Sequence, residues 1–558
     1  MKNFRNLITG LLVLAGVAHG YSQETTTDPQ RGEIRDTEFI IRKDRVLSLP
    51  RQSRVFEKSP SLPQVSTSID YTYQVKNFAA TLAPVDVNFK SYQKPFPRAD
   101  NDQTQAIVKL GFGNYSSPLI QADYHSLDND DYTYGAHIKH QGFYTGPVDG
   151  ENSAEDHTDI LLNGSLYRDD FEIFGRLGYE RDMHHFYGYT PDPETDVMQD
   201  SIRQVFGTFK MMAGLRRVDK AEPFDYEANL ALRLFNDRFE AKESEVLIRA
   251  NAGFRANDFL KGGINSLLAF TSPQDIYYED IKRNYFKLQP YVQYTKESFK
   301  IKVGANVIQE NDIVPNKTED FHIFPILKMS YHVLPELGIY GAYEGDVIRN
   351  TYYDFIQENP FLGPSENLKN TIQNFQIDAG ISGKANDQVN YKIGFKYGDF
   401  TNMHFYGNNE MDSTRFQLIY DNNSKVLEYH ASIDYIFDEW YQLDASAHYY
   451  HYTLDEISFA WQRPEWELKI NNTFTPDDKW LVHANVNAMG GINAINLMSD
   501  NERILGTLVD LHLGADYAFT NRFSAFAYGN NLLNQKYQRF SNYPVRGIQL
   551  IGGVSFKF

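Results

Sequence analysis

The sequence predicts an all-β protein: an antiparallel, up-and-down transmembrane β-barrel of about 22 strands preceded by a short irregular N-terminal segment. Three observations predict it. Apolar and polar side chains alternate with a period of two in runs of about 9–12 residues, the length that crosses a bilayer when a strand is tilted. Aromatic content is high, with 38 Tyr and 39 Phe in 558 residues, as girdles at two membrane interfaces require. The chain also ends on such an alternating run, at Phe558. A mean hydropathy of −0.50 is compatible with this reading, because lumen-facing and lipid-facing residues cancel along each strand.

Taken in order, Lys2 and Arg5 precede an apolar stretch, Leu7 to Val17, which is too short to span a bilayer as a helix. Ala18-His19-Gly20 offers small-residue cleavage, with Ser22 as an alternative, so residues 1–22 read as a secretory signal peptide. Cysteine is absent, which excludes a lipoprotein anchor, disulfides, thiolate metal sites and a cysteine nucleophile. Residues 23–103 read as a periplasmic or lumenal segment, and nothing in it resembles a packed domain of more than ~80 residues. Its first part is polar, and Arg42, Lys43, Arg45, Arg51, Arg54 and Lys58 then form a basic cluster interrupted by Pro50. That cluster reads either as a stopper in an acidic lumen or as a solvated tail.

Residues 104–558 carry the barrel. Ala106, Val108, Leu110 and Phe112 alternate with Gln105, Ile107, Lys109 and Gly111. The same pattern returns at Tyr226–Leu234, Ile393–Tyr397, Tyr441–Tyr449 and Val509–Phe519. In the final run Ile548, Leu550, Gly552, Val554, Phe556 and Phe558 share a face, and Val554, Phe556 and Phe558 are the candidates for closing the barrel. Short polar turns such as Pro476-Asp477-Asp478 and Thr520-Asn521-Arg522 alternate with long loops, among them 183–203, 345–369, 403–425 and 535–543. Threading the chain up and down gives an even count of about 18–22 strands. Within 403–425, Phe416 to Tyr420 reads either as a strand of its own or as part of an external loop.

Gly529-Asn530-Asn531-Leu532-Leu533-Asn534-Gln535-Lys536-Tyr537, then Tyr543-Pro544, Gly547 and the terminal Phe558, resembles the C-terminal end of TonB-dependent outer-membrane receptors. Asn359-Pro360-Phe361-Leu362 and Trp461-x-x-Pro464 resemble the Bacteroidota branch of that family. The resemblance implies a 22-strand barrel served by a cell-envelope motor. The chain departs from the family in two respects: residues 23–103 are fewer than its plug contains, and no short apolar TonB box follows the signal.

Residue types that carry chemistry are sparse. His184-His185 with Asp182 and Tyr187, the pairs His137/His140 and His448/His451, and the acidic run Asp128-Asn129-Asp130-Asp131 carry the residue types of metal ligands. Neighbours on a strand point to opposite faces, and the acidic run lacks the glycine and distal glutamate of a calcium loop. No G-x-S-x-G or H-E-x-x-H motif occurs, so the expectation is a non-enzyme without cofactor or metal. The net charge of −19 argues against nucleic acid. Expected partners are outer-membrane lipid, a small solute, and a surface lipoprotein or other envelope protein. The aromatic loop 345–369, with Tyr352, Tyr353, Phe355 and Phe361, is the candidate ligand or partner loop; a self-packed loop closing the mouth is the other reading. The leading function is transport of a solute across the outer membrane, and the alternative is a docking barrel with a closed lumen.

Overall fold

A computed structural model describes residues 105–558 apart from 128–130, 195, 219–222, 277–280, 312–319, 335, 364–367, 387 and 439. Residues 1–22, expected to be a signal peptide, the segment 23–103 with its basic cluster and most of the acidic run at Asp128 therefore lie outside the described residues.

Twenty-two strands form one antiparallel sheet in which each strand pairs with the next barrel strand in the chain. The sheet closes where the first, Ala106–Gly113, pairs with the last, Gln549–Lys557. Closure removes both sheet edges, so no row of backbone N–H and C=O groups is left open. The count agrees with the upper end of the expected range. Phe171–His185 has 15 residues and Thr371–Asn386 has 16, far beyond the ~5–6 usual in soluble sheets.

The two-residue alternation sets which side chains face outward. Leu110, Phe112, Ile138, Leu162, Leu230, Ile248, Val303 and Ile393 are exposed on the outer face. Val554, Phe556 and Phe558 continue that face at the seam, where Val554 stands opposite Leu110 and Ala525, and Phe556 opposite Val108 and Phe523. On the inner side of the seam Gly111 faces Gly553, and the buried Phe526 ring lies across both. A Cβ on Gly553 would come within 2.5 Å of that ring and run into the Leu110 carbonyl oxygen.

Charged side chains recur at inward-facing positions, and several of them are paired. Lys109 meets Asp516 at 3.4 Å, Lys210 meets Glu180 at 2.6 Å, Lys287 meets Asp346 at 2.6 Å, and Lys396 meets Glu428 at 3.0 Å. His137 lies between Asp123 and Asp159, at 2.5 and 3.5 Å.

The two barrel ends differ. At one end turns are short and self-capped: Asp477 accepts from the N–H groups of Lys479 and Trp480, and Thr520 from those of Arg522 and Phe523. The other end carries the long loops. There Phe416–Asp421 is a strand, but outside the barrel. It pairs with Met403–Asn408, which continues through Asn493–Asn496 to Asn501–Ile504 as a separate four-stranded sheet. The stretch is thus part of an external loop with its own β-structure.

Candidate functional site at the barrel mouth

The loops at this end do not stand apart. Residues 349–370 leave the strand Leu337–Ile348 and begin with a seven-residue helix, Tyr352–Glu358. Thr351 and Asp354 form a reciprocal capping box: the Thr351 hydroxyl accepts from the Asp354 N–H, and the Asp354 carboxylate from the Thr351 N–H. The helix start is also fixed to the barrel wall. Glu243 accepts from the Tyr352 N–H at 2.8 Å, which satisfies one of the donors a helix start leaves unpaired. Arg233, one strand away, sits 3.0 Å from both Glu243 and Glu245 and donates to the Thr351 hydroxyl at 3.0 Å. Arg349 pairs with Glu245, and Arg283 donates to the Asn350 carbonyl at 2.6 Å and to Asn370 at 2.8 Å.

From this anchor the loop joins an aromatic core shared with loops from other parts of the ring. Tyr352, Phe355 and Phe361 are buried in it with Phe186, Phe206, Phe235, Tyr406, Phe416 and Tyr543. The Phe361 ring stacks on Tyr543 at 3.5 Å and meets His184, Tyr187 and Phe540 edge-on at 5.3–5.9 Å. His184 lies at the end of the strand Phe171–His185 and Tyr187 just beyond it, and Phe540 and Tyr543 come from the chain before the last strand. Tyr543 donates to the Thr414 carbonyl, which ties in a further loop. Of the four aromatics singled out in the sequence, Tyr353 alone lies outside the fully buried core. It is half-buried, its hydroxyl donates to Glu180 at 3.3 Å, and its ring sits 4.2 Å from the Arg233 guanidinium.

The far end of the helix is held by charge. Glu358 pairs with His404 Nε2 at 2.7 Å and with Arg463 at 3.3 Å. Arg463 also donates to the His404 carbonyl at 2.9 Å. Burial alone would raise the Glu358 carboxyl, but Arg463 and His404, with Arg539 beyond them, outweigh it and hold the group at about 2. This cluster of mouth loops, or lid for short, thus has an aromatic centre with an ionic lock at each end of one short helix.

The histidines behave as their strand positions imply. His185 donates through Nδ1 to the Ala154 carbonyl at 2.8 Å, whereas His184 packs against Phe186, Phe206 and Phe361. His137 turns to Asp123 and Asp159, and His140 to Thr158. One convergence had no signal in the sequence. Glu310, Asp320 and His322, at the ends of adjacent strands, bring their donor atoms within 4.8 Å of one another, a donor set that suits a divalent cation. The sequence reading also missed Arg233, Glu243, Glu358, His404 and Arg463, because their partners lie far apart in the chain.

Comparison with known proteins places this architecture. No family model matches the chain, and no curated protein matches it in sequence. Solved structures do match. The ferric enterobactin receptor PfeA of Pseudomonas aeruginosa aligns over 81% of this chain and 80% of its own, at 9% identity and a TM-score of 0.61. The FrpB iron transporter of Neisseria meningitidis aligns over 82% of both chains, at 9% identity and a TM-score of 0.63. The copper transporter OprC aligns over 82% and 80%, at 12% identity and a TM-score of 0.61. The chain has the fold of these receptor and transporter barrels. At such identities the likeness concerns the fold and not the ligand.

Proposed function

We propose that this chain is an outer-membrane transport barrel, akin to the TonB-dependent receptors, that binds a small solute at its loop end and passes it across the outer membrane. One observation carries the reading: a closed 22-strand sheet with an apolar outer face and a charge-lined inner wall. In water that outer face would be an unpartnered hydrophobic surface around the whole molecule, whereas in a bilayer it is solvated by lipid. The neighbours with this fold are described as receptors or transporters for iron, siderophores and copper, which supports transport over catalysis. In this reading residues 1–22 are removed on export and residues 23–103 lie at the periplasmic mouth or in the lumen. Tyr352, Tyr353, Phe355 and Phe361 belong to the loop that a ligand or a surface lipoprotein engages.

The aromatic core shared by the mouth loops favours a second reading, a docking barrel whose mouth stays shut. Conductance in a planar bilayer separates the two. A gated transporter is nearly silent as the full wild-type chain and conducts once the loop core is loosened by Phe361→Ala in a chain that also lacks residues 23–100. If both proteins stay silent, and a stoichiometric partner copurifies in mild detergent, the docking reading prevails.

A further inference from the structure

The outer face of the strands Phe224–Asn236, Lys242–Arg255, Leu260–Gln274 and Arg283–Lys296 changes character towards the loop end. Pairing register sorts it into rows. Leu232, Val246 and Phe270 share one row, Leu234, Ser244 and Ser272 the next, and Asn236, Lys242 and Gln274 the last. Within two steps the surface passes from hydrocarbon through hydroxyls to amides and an ammonium. At this boundary lies a cavity of about 440 Å³, lined by Asn236, Lys242, Ser244, Ser272, Gln274 and Lys282, with Leu234 below them. Both lysines are exposed, and neither pairs with a carboxylate among the described residues. Glu243 also borders the cavity, but its carboxylate is turned to Arg233 and to the Tyr352 N–H.

From this geometry we infer a binding site for the phosphorylated headgroup of a membrane lipid, seated against the outside of the barrel. Two ammonium groups with hydroxyl and amide donors around them suit an oxyanion. Inorganic phosphate would leave most of the cavity unfilled, since the volume lies in the range of small-molecule sites, about 300–1,000 Å³. The apolar rows run directly beneath it: Leu234 and Phe270 are exposed, and the Phe270 and Phe286 rings meet edge-on at 5.5 Å. Acyl chains descending from a headgroup in the cavity would lie along that surface. Basic pockets at the rim of a transmembrane protein recognise anionic lipids in this way.

This inference rests on the membrane reading above, and its test keeps the two apart. The full-length protein in nonionic detergent is titrated with dioleoyl phosphatidic acid, with phosphatidylcholine of the same chains, and with inorganic phosphate, and bound lipid is counted by native mass spectrometry. The wild type is expected to retain phosphatidic acid at least tenfold better than phosphatidylcholine. Lys242→Gln/Lys282→Gln is expected to lose most of that preference, since each lysine contributes about fivefold. The single variant Lys242→Gln, expected to be intermediate, guards against misfolding of the double one. Equal retention by wild type and double variant overturns the site, as does thermal stabilisation by inorganic phosphate equal to that by the lipid. A protein that needs no detergent and enters no vesicle overturns the membrane reading, and the site with it; one that inserts normally but shows no lipid preference overturns the site alone.

Discussion

Phe361 touches side chains from two other parts of the mouth: His184 and Tyr187 at the end of one strand and just after it, and Phe540 and Tyr543 before the last strand. Cutting it to Ala removes all four contacts and opens a void at their meeting point. Such truncations cost about 3–5 kcal/mol in a rigid core. Because the barrel sheet does not depend on this ring, the loss should fall on the loops as a local unit. Hydrogen exchange in residues 349–363 and 535–545 is expected to speed up by two orders of magnitude or more, while exchange in the barrel strands stays slow. Uniform acceleration through the barrel would contradict a separable lid. Glu358 gives this unit its pH dependence. Its carboxyl is held at about 2 in the folded lid and titrates near 4.3 when released. The ionised form therefore stabilises the lid fully above pH ~4.3, and the contribution drains away as pH falls towards ~2. Loop exchange should rise over that acidic window, and Glu358→Gln, already weakened, should be flat across it. A wild-type transition centred near pH 6 would place control elsewhere. At the seam, Gly553→Val drives a side chain into the Phe526 ring and the Leu110 carbonyl; it should lower the yield of heat-resistant folded barrel on a semi-native gel, whereas Ser555→Val, one inward-facing position along, should be far milder.

Among the elements, the helix Tyr352–Glu358 is too short to be stable alone, so its caps decide whether it forms. Thr351→Ala removes both the capping hydroxyl and the acceptor for Arg233. It is expected to destabilise the lid by about 1–2 kcal/mol, less than Phe361→Ala, in the same hydrogen-exchange assay. A larger effect would mean that Arg233, and not the cap, holds the helix. The sequence contained a signal for this helix, since Thr351 followed by Asp354 is a capping box. The surrounding aromatics left the reading open between a ligand or partner surface and a self-packed loop, and neither reading named a helix. The barrel strands were legible because their period of two is local and repeats: Leu110, Leu230, Ile393 and Val554 each declare the outer face from their own neighbours. The mouth was not legible for the opposite reason. Glu358 meets Arg463, and Tyr187 meets Tyr543, across separations that no periodicity encodes. The external sheet of Phe416–Asp421 and Met403–Asn408 was half legible, because its strand character is local and its place outside the ring is not.

For the molecule as a whole, flow through a barrel is governed by its narrowest constriction, and this chain offers two candidates in series. One is the loop core at the mouth. The other is the basic segment around Arg42 to Lys58, if it acts as a stopper against a wall that carries Glu180, Asp346 and Glu428. Two blocks in series make a single deletion uninformative, because removing a stopper behind a shut lid changes little. The informative comparison keeps the lid loosened. Single-channel conductance should be measured for Phe361→Ala and for the same variant lacking residues 23–100. If the segment blocks the pore, the double change should conduct several-fold more than the substitution alone, and high salt should raise the conductance of the substitution by more than ion supply accounts for, since screening weakens a charge-held stopper. Equal conductance, with the same salt dependence, would make residues 23–103 a solvated tail and leave the mouth loops as the sole gate.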